Sequence, residues 1–323
     1  MNTSAILAIN SLDRYSKGTG VGSPSLSGIA LLSQFNVTGQ ACNDFRIESA
    51  GALIYGYINK IQVAQTQLQY NIPTVVPDRN DIFYFEFQDA FYKVTIPFGY
   101  YTPEELAAIL ETDIRLAVPV EGGLVNPFLA AFTVVYQALT GFIFRTNNIY
   151  DFGFLDIDQF LQFETPNDIS KLLRAYRLLG MDKTNTGGGN NVQASANTPV
   201  FLYTPYIDIV SQTLTKYQKV KDTDSSPQKQ SDMIARIYLA GTGNPQITSG
   251  AVNTFPLGSR PFTIVQDMNY CKTLRWSKDE AVNSLDFQLR DQYGELIFQN
   301  EPGNNDIYYT EFQMTLLCIE NQD

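Results

Sequence analysis

Residues 81–110, DIFYFEFQDAFYKVTIPFGYYTPEELAAIL, decide the fold class of this 323-residue chain. Residues 82–87 and 91–96 are rich in aromatic and β-branched side chains, and each run has the length of a β-strand. The Asp89-Ala90 pair between them is short enough for a tight turn. The stretch therefore predicts two strands joined by a hairpin.

The second half of the same stretch predicts a capped helix. Thr102 stands at the N-cap position, Pro103 suits the first helical position, and Glu105 completes a capping box. The apolar residues that follow keep helical spacing: Leu106, Ile109, Leu110 and Ile114. We expect Glu104 and Glu105 to stabilise the helix start through the backbone dipole and not to act as a catalytic acid and base.

The composition excludes many enzyme designs and several partners. The chain has no histidine, so Ser-His-Asp catalysis, Cys-His catalysis and histidine-bound metals are excluded. Its 22 basic and 33 acidic residues give a net charge of -11, and no basic stripe is present that could follow a phosphate backbone. We therefore expect no direct nucleic-acid binding and no attraction to an anionic membrane.

The three cysteines and the absence of targeting patterns indicate an intracellular origin. Cys42, Cys271 and Cys318 are far apart and predict buried thiols in a reducing compartment, with no disulfide. No secretory signal is recognisable, and no run of about 18 apolar residues could span a membrane. We expect the chain to be made and used in a cytoplasm, without membrane contact.

Three pairs of carboxylates are the remaining candidates for chemistry. They lack the spacing of a calcium loop, so we expect them to be solvated and predict no cofactor or metal site. The pairs are Asp156 with Asp158, Asp222 with Asp224, and Asp279 with Glu280.

The order of segments along the chain predicts an arm followed by one domain. Residues 1–40 alternate small polar residues with glycines and predict an N-terminal arm. Residues 41–323 are expected to form a single domain with a mobile surface loop at about 182–199. A second helix is predicted to begin near Asp168 and to end at Gly180.

Roughly eight to ten strands with two helices predict an all-β fold. Two strands of the last third, at 284–290 and 309–319, alternate apolar with polar residues. The predicted architecture is a single jelly-roll β-sandwich with two short helices in connections and an extended N-terminal arm. An immunoglobulin-like sandwich and two small barrels are the alternatives.

Four segments resemble the single-jelly-roll minor capsid, or penton, proteins of virophages, polinton-like viruses and related double-jelly-roll-lineage DNA viruses. They occur in the family's order and are spread along the chain from residue 10 to residue 294. The segments are 10–14 (NSLDR), 96–102 (IPFGYYT), 172–181 (LLRAYRLLGM) and 286–294 (DFQLRDQYG).

The resemblance implies a structural viral capsid protein and not an enzyme. A penton of this family forms homopentamers at the fivefold vertices of an icosahedral shell and touches the double-jelly-roll major capsid protein. The chain would then be made in the host cytoplasm and reside in the virion, at the capsid vertex. Such a pentamer needs apolar or aromatic surface on the barrel flank and arms that become ordered on docking.

The interface candidates fall in two places. Leu12, Asp13, Arg14 and Tyr15 lie in the arm, and Tyr100 and Tyr101 precede the first helix. Asp13 and Arg14 suit an ion pair to a neighbouring chain and equally one within the chain. Tyr100 and Tyr101 could instead simply cover the mouth of the barrel.

Two other functions fit the same composition. A carbohydrate-binding jelly roll, such as a spike or lectin-like protein, could use the 19 tyrosines as a sugar-stacking surface. A histidine-free glycoside hydrolase is a weaker alternative, because it needs two acids that converge across a groove.

Overall fold

A computed structural model describes residues 3–10, 43–48, 53, 58–146, 152–182, 192–216, 232–239, 261–268, 272–276, 282–297 and 311–320. Contacts divide the chain into two compact units. Unit 1 comprises Met1–Ile72, Thr204–Asn244 and Pro261–Asp323, and unit 2 comprises Pro73–Tyr203 and Pro245–Arg260.

Strands dominate the described residues. In chain order they are β1 (Thr3–Asn10), β2 (Asp44–Glu48), β3 (Ile58–Tyr70), β4 (Ile82–Phe87), β5 (Ala90–Thr95), β6 (Thr133–Gln137), β7 (Gly141–Arg145), β8 (Phe152–Phe154), β9 (Val192–Ala194), β10 (Tyr206–Val210), β11 (Met233–Tyr238), β12 (Phe262–Asp267), β13 (Thr273–Arg275), β14 (Ser284–Arg290) and β15 (Glu311–Glu320). The α-helices are α1 (Pro103–Leu116), α2 (Ile157–Phe160), α3 (Ile169–Leu179) and α4 (Gln212–Thr215), and 3-10 helices cover Pro127–Ala131 and Pro166–Asp168. The prediction of an all-β chain with few short helices is confirmed.

Unit 1 is built from two antiparallel sheets. One has the order β1-β15-β3-β12 with β13 also on β3, and the other has the order β11-β10-β14-β2. Strands from the two ends of the chain are neighbours, since β1 pairs with β15 and β2 pairs with β14. Such long-range antiparallel pairing is the arrangement that the jelly-roll prediction describes.

The two sheets of unit 1 pack face to face through alternating apolar residues. The ring of Phe312 on β15 lies 5.4 Å from Phe45 on β2 and 6.3 Å from Phe287 on β14. All three side chains are buried, as the alternation in β14 and β15 predicted. Cys318, one of the predicted buried thiols, also lies in this core, where burial raises the pKa of its thiol.

Unit 2 contains the predicted hairpin and capped helix of residues 81–110. Strands β4 and β5 form a hairpin and extend into the sheet β5-β4-β8, while β6, β7 and β9 form a second sheet. The turn residues are Gln88 and Asp89, with φ of 54° and 57°, one position before the predicted pair. Two successive positive φ values define the type I′ turn that matches the twist of a hairpin.

Helix α1 confirms the predicted capping box. The backbone N–H of Glu105 donates to Oγ1 of Thr102 (3.3 Å), and the backbone N–H of Thr102 donates to Oε2 of Glu105 (2.9 Å). Glu104 and Glu105 are exposed in the first turn, as expected for helix-start residues. Leu106 and Leu110 on the opposite face are fully buried.

Aromatic rings fill the core of unit 2. The rings of Phe85 and Tyr92 stack at 5.0 Å, and Phe152 meets Phe132 edge-on at 5.0 Å. Aromatic pairs in these geometries stabilise a core beyond their buried area, by about 0.5–1.5 kcal/mol each. The same cluster continues through Phe83, Phe87, Phe142, Phe144, Phe154 and Tyr176.

The single domain expected over residues 41–323 stays a prediction, and the contacts divide those residues between two compact units. The aromatic strands at 82–95 and 133–145 pack on one another in unit 2. Alternation along a strand shows that one face is buried but not which sheet covers it.

Two further expectations, the arm and the mobile loop, concern segments that the structure describes in part. The arm was expected over 1–40, but Thr3–Asn10 is the strand β1, paired along its length with β15. The loop was expected at about 182–199, but Val192–Ala194 is the short strand β9, paired with β7. The rest of the arm and residues 183–191 lie outside the described residues.

Gly180 ends α3 as predicted, and its substitution provides a test of the fold. Its φ is +70°, and an added Cβ would collide with the carbonyl oxygen of Asn197 and approach Pro199. Gly122 is the matched control, because its φ is +90° but a Cβ there would meet no atom within 4 Å. Both substitutions to Ala incur about 1–2 kcal/mol of backbone strain.

We expect Gly180→Ala to lower the free energy of unfolding by about 1–3 kcal/mol more than Gly122→Ala, because only Gly180 adds a steric clash. Urea denaturation of the two variants measures the difference. Equal losses would show that the packing around Gly180 is not as described.

Candidate assembly surfaces

The candidates Tyr100 and Tyr101 lie in the connection between β5 and α1. The hydroxyl of Tyr101 donates to the backbone carbonyls of Pro97 (2.8 Å) and Phe98 (3.3 Å). Its backbone N–H donates to Oγ1 of Thr74 (3.2 Å), and both tyrosines are half-buried. Tyr101 thus holds its own loop in place, and an interface role for the pair stays a prediction.

The arm candidates cannot be placed in the same way. Leu12, Asp13, Arg14 and Tyr15 lie outside the described residues. Their role at an interface stays a prediction from the sequence.

An exposed apolar surface follows α1 and was missed by the sequence analysis. Six aliphatic or aromatic side chains within 13 residues are each 40% to 90% exposed. They are Leu116, Val118, Val120, Leu124, Val125 and Phe128, and together they are called the apolar ledge. Exposed apolar side chains grouped in this way mark a protein-protein contact more often than a solvated surface.

Backbone and side-chain hydrogen bonds hold the apolar ledge on the β4–β5 hairpin. The backbone N–H of Val120 donates to the carbonyl of Phe91 (2.8 Å). Nδ2 of Asn126 donates to Oε1 of Gln88 (2.8 Å), and Oδ1 of Asn126 accepts from the backbone N–H of Phe128 (3.0 Å). Because these bonds fix the backbone, the ledge is ordered before any partner arrives, which lowers the entropy lost on binding.

A compositional signal for the ledge exists in the sequence. Between Leu116 and Phe144 the only charged residue is Glu121. Residues 132–136 and 142–144 have the pattern of a hairpin, but nothing in the pattern of residues 116–131 indicates which of their apolar side chains are exposed. Only the folded structure separates buried Leu129 and Phe132 from the exposed members of the ledge.

Unit 1 offers a second surface that carries few charges. The outward residues of β3 include Gln62, Gln65, Gln67 and Gln69. Gln62 donates through Nε2 to Oγ1 of Thr273 on β13 (2.7 Å). The equivalent bond from Gln65 to Oδ1 of Asp267 on β12 is 2.8 Å. Another protein can cover this amide face, defined by the four glutamines of β3, while desolvating few charges, of which the carboxylate of Asp267 is one.

The most connected charged cluster in unit 2 stabilises the fold. Oε1 of Glu164 accepts from the hydroxyl of Tyr84 (2.5 Å) and from Nζ of Lys93 (2.8 Å). Burial and the neighbouring Glu164 raise the pKa of Tyr84 to about 12. For Glu164, burial by itself raises the pKa, but the two hydrogen bonds outweigh it and the net pKa is lowered.

An ion pair between β10 and β11 stabilises the fold of unit 1. The guanidinium of Arg236 donates to both carboxylate oxygens of Asp208, at 2.6 and 3.0 Å. It also lies 3.8 Å from the centre of the Tyr206 ring. Hydrogen bonding to Asp208 raises the pKa of Arg236 above its usual range. These groups neutralise one another across neighbouring strands.

The carboxylate pairs do not form a catalytic or metal centre where they are described. Oδ1 of Asp156 accepts from the backbone N–H of Gln159 (2.8 Å), which makes Asp156 the N-cap of α2, and Asp158 lies in the first turn. The other two pairs lie outside the described residues. Within the described part of the chain no group of three acidic or thiol side chains could hold a metal, and no helix there is long and apolar enough to cross a membrane.

Comparison with known proteins returns similarity to virus capsid structures. No protein-family model matches the chain, and no curated protein matches it. The crystal structure of the mavirus penton protein is similar over 99% of this chain and 99% of its own, with 11% identity and a TM-score of 0.49. A chain in the cryo-EM structure of the Sputnik virophage is similar over 98% of each chain, with 10% identity and a TM-score of 0.43. Because these values are low, we argue the function from the residues of this chain.

The Glu164 cluster makes the stability of the protein depend on pH in a defined direction. The folded pKa of Glu164 is lowered, so its contribution is present above the unfolded value and is lost as the pH falls through the folded value. We expect Glu164→Gln to destabilise the protein at pH 7 and to approach the wild type as the pH falls below about 4.5.

Urea denaturation between pH 7 and pH 3 measures this convergence. Glu121→Gln is the control, because Glu121 is exposed and lies outside the cluster. A Glu164→Gln deficit that stayed constant with pH would contradict the assignment.

Asn126 is expected to anchor the apolar ledge. Asn126→Ala removes both bonds described above and should lower the free energy of unfolding by about 1–2 kcal/mol. Hydrogen exchange should accelerate at residues 119–131 and not in α3. Leu124→Ala is the control, because its side chain is 90% exposed and its loss should change stability by less than about 0.5 kcal/mol.

Proposed function

We propose that this chain is a structural capsid protein, a penton that forms homopentamers at the fivefold vertices of an icosahedral shell. The apolar ledge is the observation that carries the proposal, because an ordered and exposed apolar surface is a means of association. In this proposal the chain contacts the double-jelly-roll major capsid protein and resides in the virion after synthesis in the host cytoplasm. It makes no direct contact with nucleic acid or membrane.

The net charge of the chain restricts how copies can meet. At -11, two copies repel each other unless the contact surfaces themselves carry little charge. The apolar ledge of unit 2 and the amide face of unit 1 both meet this requirement. Copies that meet through two different surfaces make a heterologous contact, which closes into a ring when the rotation permits.

Three of the four sequence segments that resemble pentons lie on described elements, whereas residues 11–14 of the first segment lie outside the described residues. The segment at 96–102 leads into the capping box of α1, and the segment at 172–181 ends α3 at Gly180. The segment at 286–294 forms β14 and the turn after it. They are therefore distributed over both units, which supports a resemblance of whole chains.

The carbohydrate-binding alternative has fewer tyrosines available for stacking than the sequence count suggests. A sugar-stacking surface needs exposed rings, whereas five of the described tyrosines are buried. They are Tyr70, Tyr84, Tyr92, Tyr176 and Tyr203. The hydrolase alternative needs converging acids, and the described Glu104, Glu105 and Asp156 begin helices instead.

Light scattering on the purified chain tests the proposal directly. A penton should give a species of five times the 36.2 kDa chain mass, and whole particles should show this chain in the density at the fivefold vertices. A chain that stays monomeric at all concentrations, or vertex density that does not fit it, would overturn the proposal.

The apolar ledge yields a variant that separates assembly from folding. We expect Leu124→Asp with Phe128→Asp to leave the thermal unfolding temperature unchanged, because both side chains are exposed. Assembly should require at least about tenfold higher concentration, because a charge is then desolvated at the contact.

Leu139→Asp is the matched control for this experiment. Leu139 is fully exposed in the turn between β6 and β7 and is not part of the ledge. Light scattering against concentration compares the three proteins. If the control impaired assembly as much as the ledge variant, the ledge would not be the contact surface.

A further inference from the structure

A cleft of about 410 Å³ opens in unit 1 between β11 and β12. In the order of the described strands, β11 is at the edge of one sheet and β12 is at the edge of the other. Apolar side chains from both sheets form its floor, including buried Val63 and Ile234. A volume of this size is within the range of ligand-binding pockets.

The backbone of β11 presents hydrogen-bonding groups away from its partner strand. The backbone N–H of Leu239 donates to the carbonyl of Pro205 (2.8 Å), in register with the β10–β11 ladder. Antiparallel ladders alternate, so the N–H and C=O groups of Arg236 and Tyr238 point away from β10. The carbonyl of Met233, which points the same way, accepts from Nζ of Lys272 (2.9 Å). β11 therefore has the edge that an added strand requires.

A buried hydrogen-bond acceptor in the cleft indicates that a bound ligand must supply a hydrogen-bond donor. Oε1 of Gln266 on β12 is buried and has no hydrogen-bond donor among the described residues. Leaving such an acceptor unpaired is costly, and native proteins rarely do so. A backbone N–H of an extended peptide is a donor of suitable size.

Each charged side chain that lines the cleft already has a hydrogen-bond partner within this chain, and for Asp267 it is Nε2 of Gln65 (2.8 Å). Arg236 is held by both oxygens of Asp208 and by the ring of Tyr206. Lys272 is engaged with the carbonyl of Met233. An uncharged guest therefore fits better than a charged one, and the methionines of the lining, Met233 and Met268, can adapt to its side chains.

One segment of this chain has the required chemistry. The sequence from Gly18 to Asn43 has no charged residue, although the chain as a whole has a net charge of -11. Within it, residues 28–36 read GIALLSQFN, and strand alternation would place Ile29, Leu31 and Phe35 on one face. These residues lie outside the described part of the chain, so only their sequence indicates that they suit the cleft.

The positions of the arm and the cleft favour a guest from a second copy. The arm follows β1, which is at one edge of its sheet, whereas the cleft lies beside β12 at the other edge. From Asn10 to Gly28 the chain can span at most about 60 Å, which is long enough to reach a neighbouring copy. A donor at one edge and an acceptor at the opposite edge form a head-to-tail contact, which is the kind that builds a ring.

We propose that the cleft between β11 and β12 binds residues 28–36 of a second copy as an added strand on β11. The added strand donates a backbone N–H to Oε1 of Gln266 and places apolar side chains on Val63 and Ile234. This inference rests on the proposed homopentamer and names a contact between its neighbours in addition to the apolar ledge.

A labelled synthetic peptide of residues 27–37, SGIALLSQFNV, is the probe. The receiver is the full chain with Leu31→Asp and Phe35→Asp, so that its own segment does not compete. Fluorescence anisotropy should show saturable binding, and Gln266→Leu in the receiver should weaken it by about 5- to 10-fold. Gln313→Leu is the matched control, because Gln313 is exposed on β15 of the same sheet, lies outside the cleft and should not alter binding.

A second measurement distinguishes lost recognition from lost folding. Because Gln266→Leu removes an unpaired buried acceptor, its thermal unfolding temperature should equal or exceed that of the receiver without it. Weaker peptide binding together with unchanged or higher stability supports the proposal. Absent saturable binding, or equal binding with Gln266→Leu, overturns it.

The oligomeric state separates this proposal from the proposed function. If the wild-type chain forms pentamers and the Leu31→Asp, Phe35→Asp chain does so equally well, the strand contact is wrong while the penton function stands. If the wild-type chain is monomeric at all concentrations, the penton function and the second-copy source are both overturned. Loss of pentamers in the substituted chain, with peptide binding retained, supports both.

Discussion

The antiparallel pairing of β3 with β15 is the constraint on which unit 1 depends. It joins strands more than 240 residues apart along the chain, and it aligns their alternating residues so that one face is apolar and the other is largely polar. The inner face packs on β2 and β14 through Phe312, while the outer face carries the glutamines of β3. The same sheet has the strand that leads into the arm at one edge and the cleft at the other.

Charged side chains are few on the surfaces where we expect contacts between copies. Elsewhere they form local clusters that hold neighbouring elements together. Glu164 in unit 2 and Arg236 in unit 1 are each held by two or more partners, so they fix neighbouring elements without leaving an exposed unpaired charge. The apolar ledge and the amide face have few charges, although the chain is strongly acidic. The negative charge of the chain opposes nonspecific association, while the surfaces that carry little charge still permit contact with neighbouring copies.

Unit 2 shows how an exposed apolar surface can be kept ordered. Its aromatic core fixes the β4–β5 hairpin, and Asn126 connects the ledge to that hairpin through Gln88. Without this anchor the ledge would be a loop that loses conformational entropy whenever it binds. Because the ledge is already ordered in the free chain, little conformational entropy is lost on association. Burial of its apolar area can therefore stabilise the contact.

Local patterns in the sequence determined the strands at 82–87 and 284–290, the capping box at Thr102 and the helix end at Gly180, because each depends on residues within one turn or one strand. Only the tertiary structure decided that the aromatic strands form a unit of their own, that Leu124 is exposed while Leu129 is buried, and that Gln266 faces a cleft. Burial and edge position depend on which distant strand covers a residue, and periodicity along the chain is the same for either outcome.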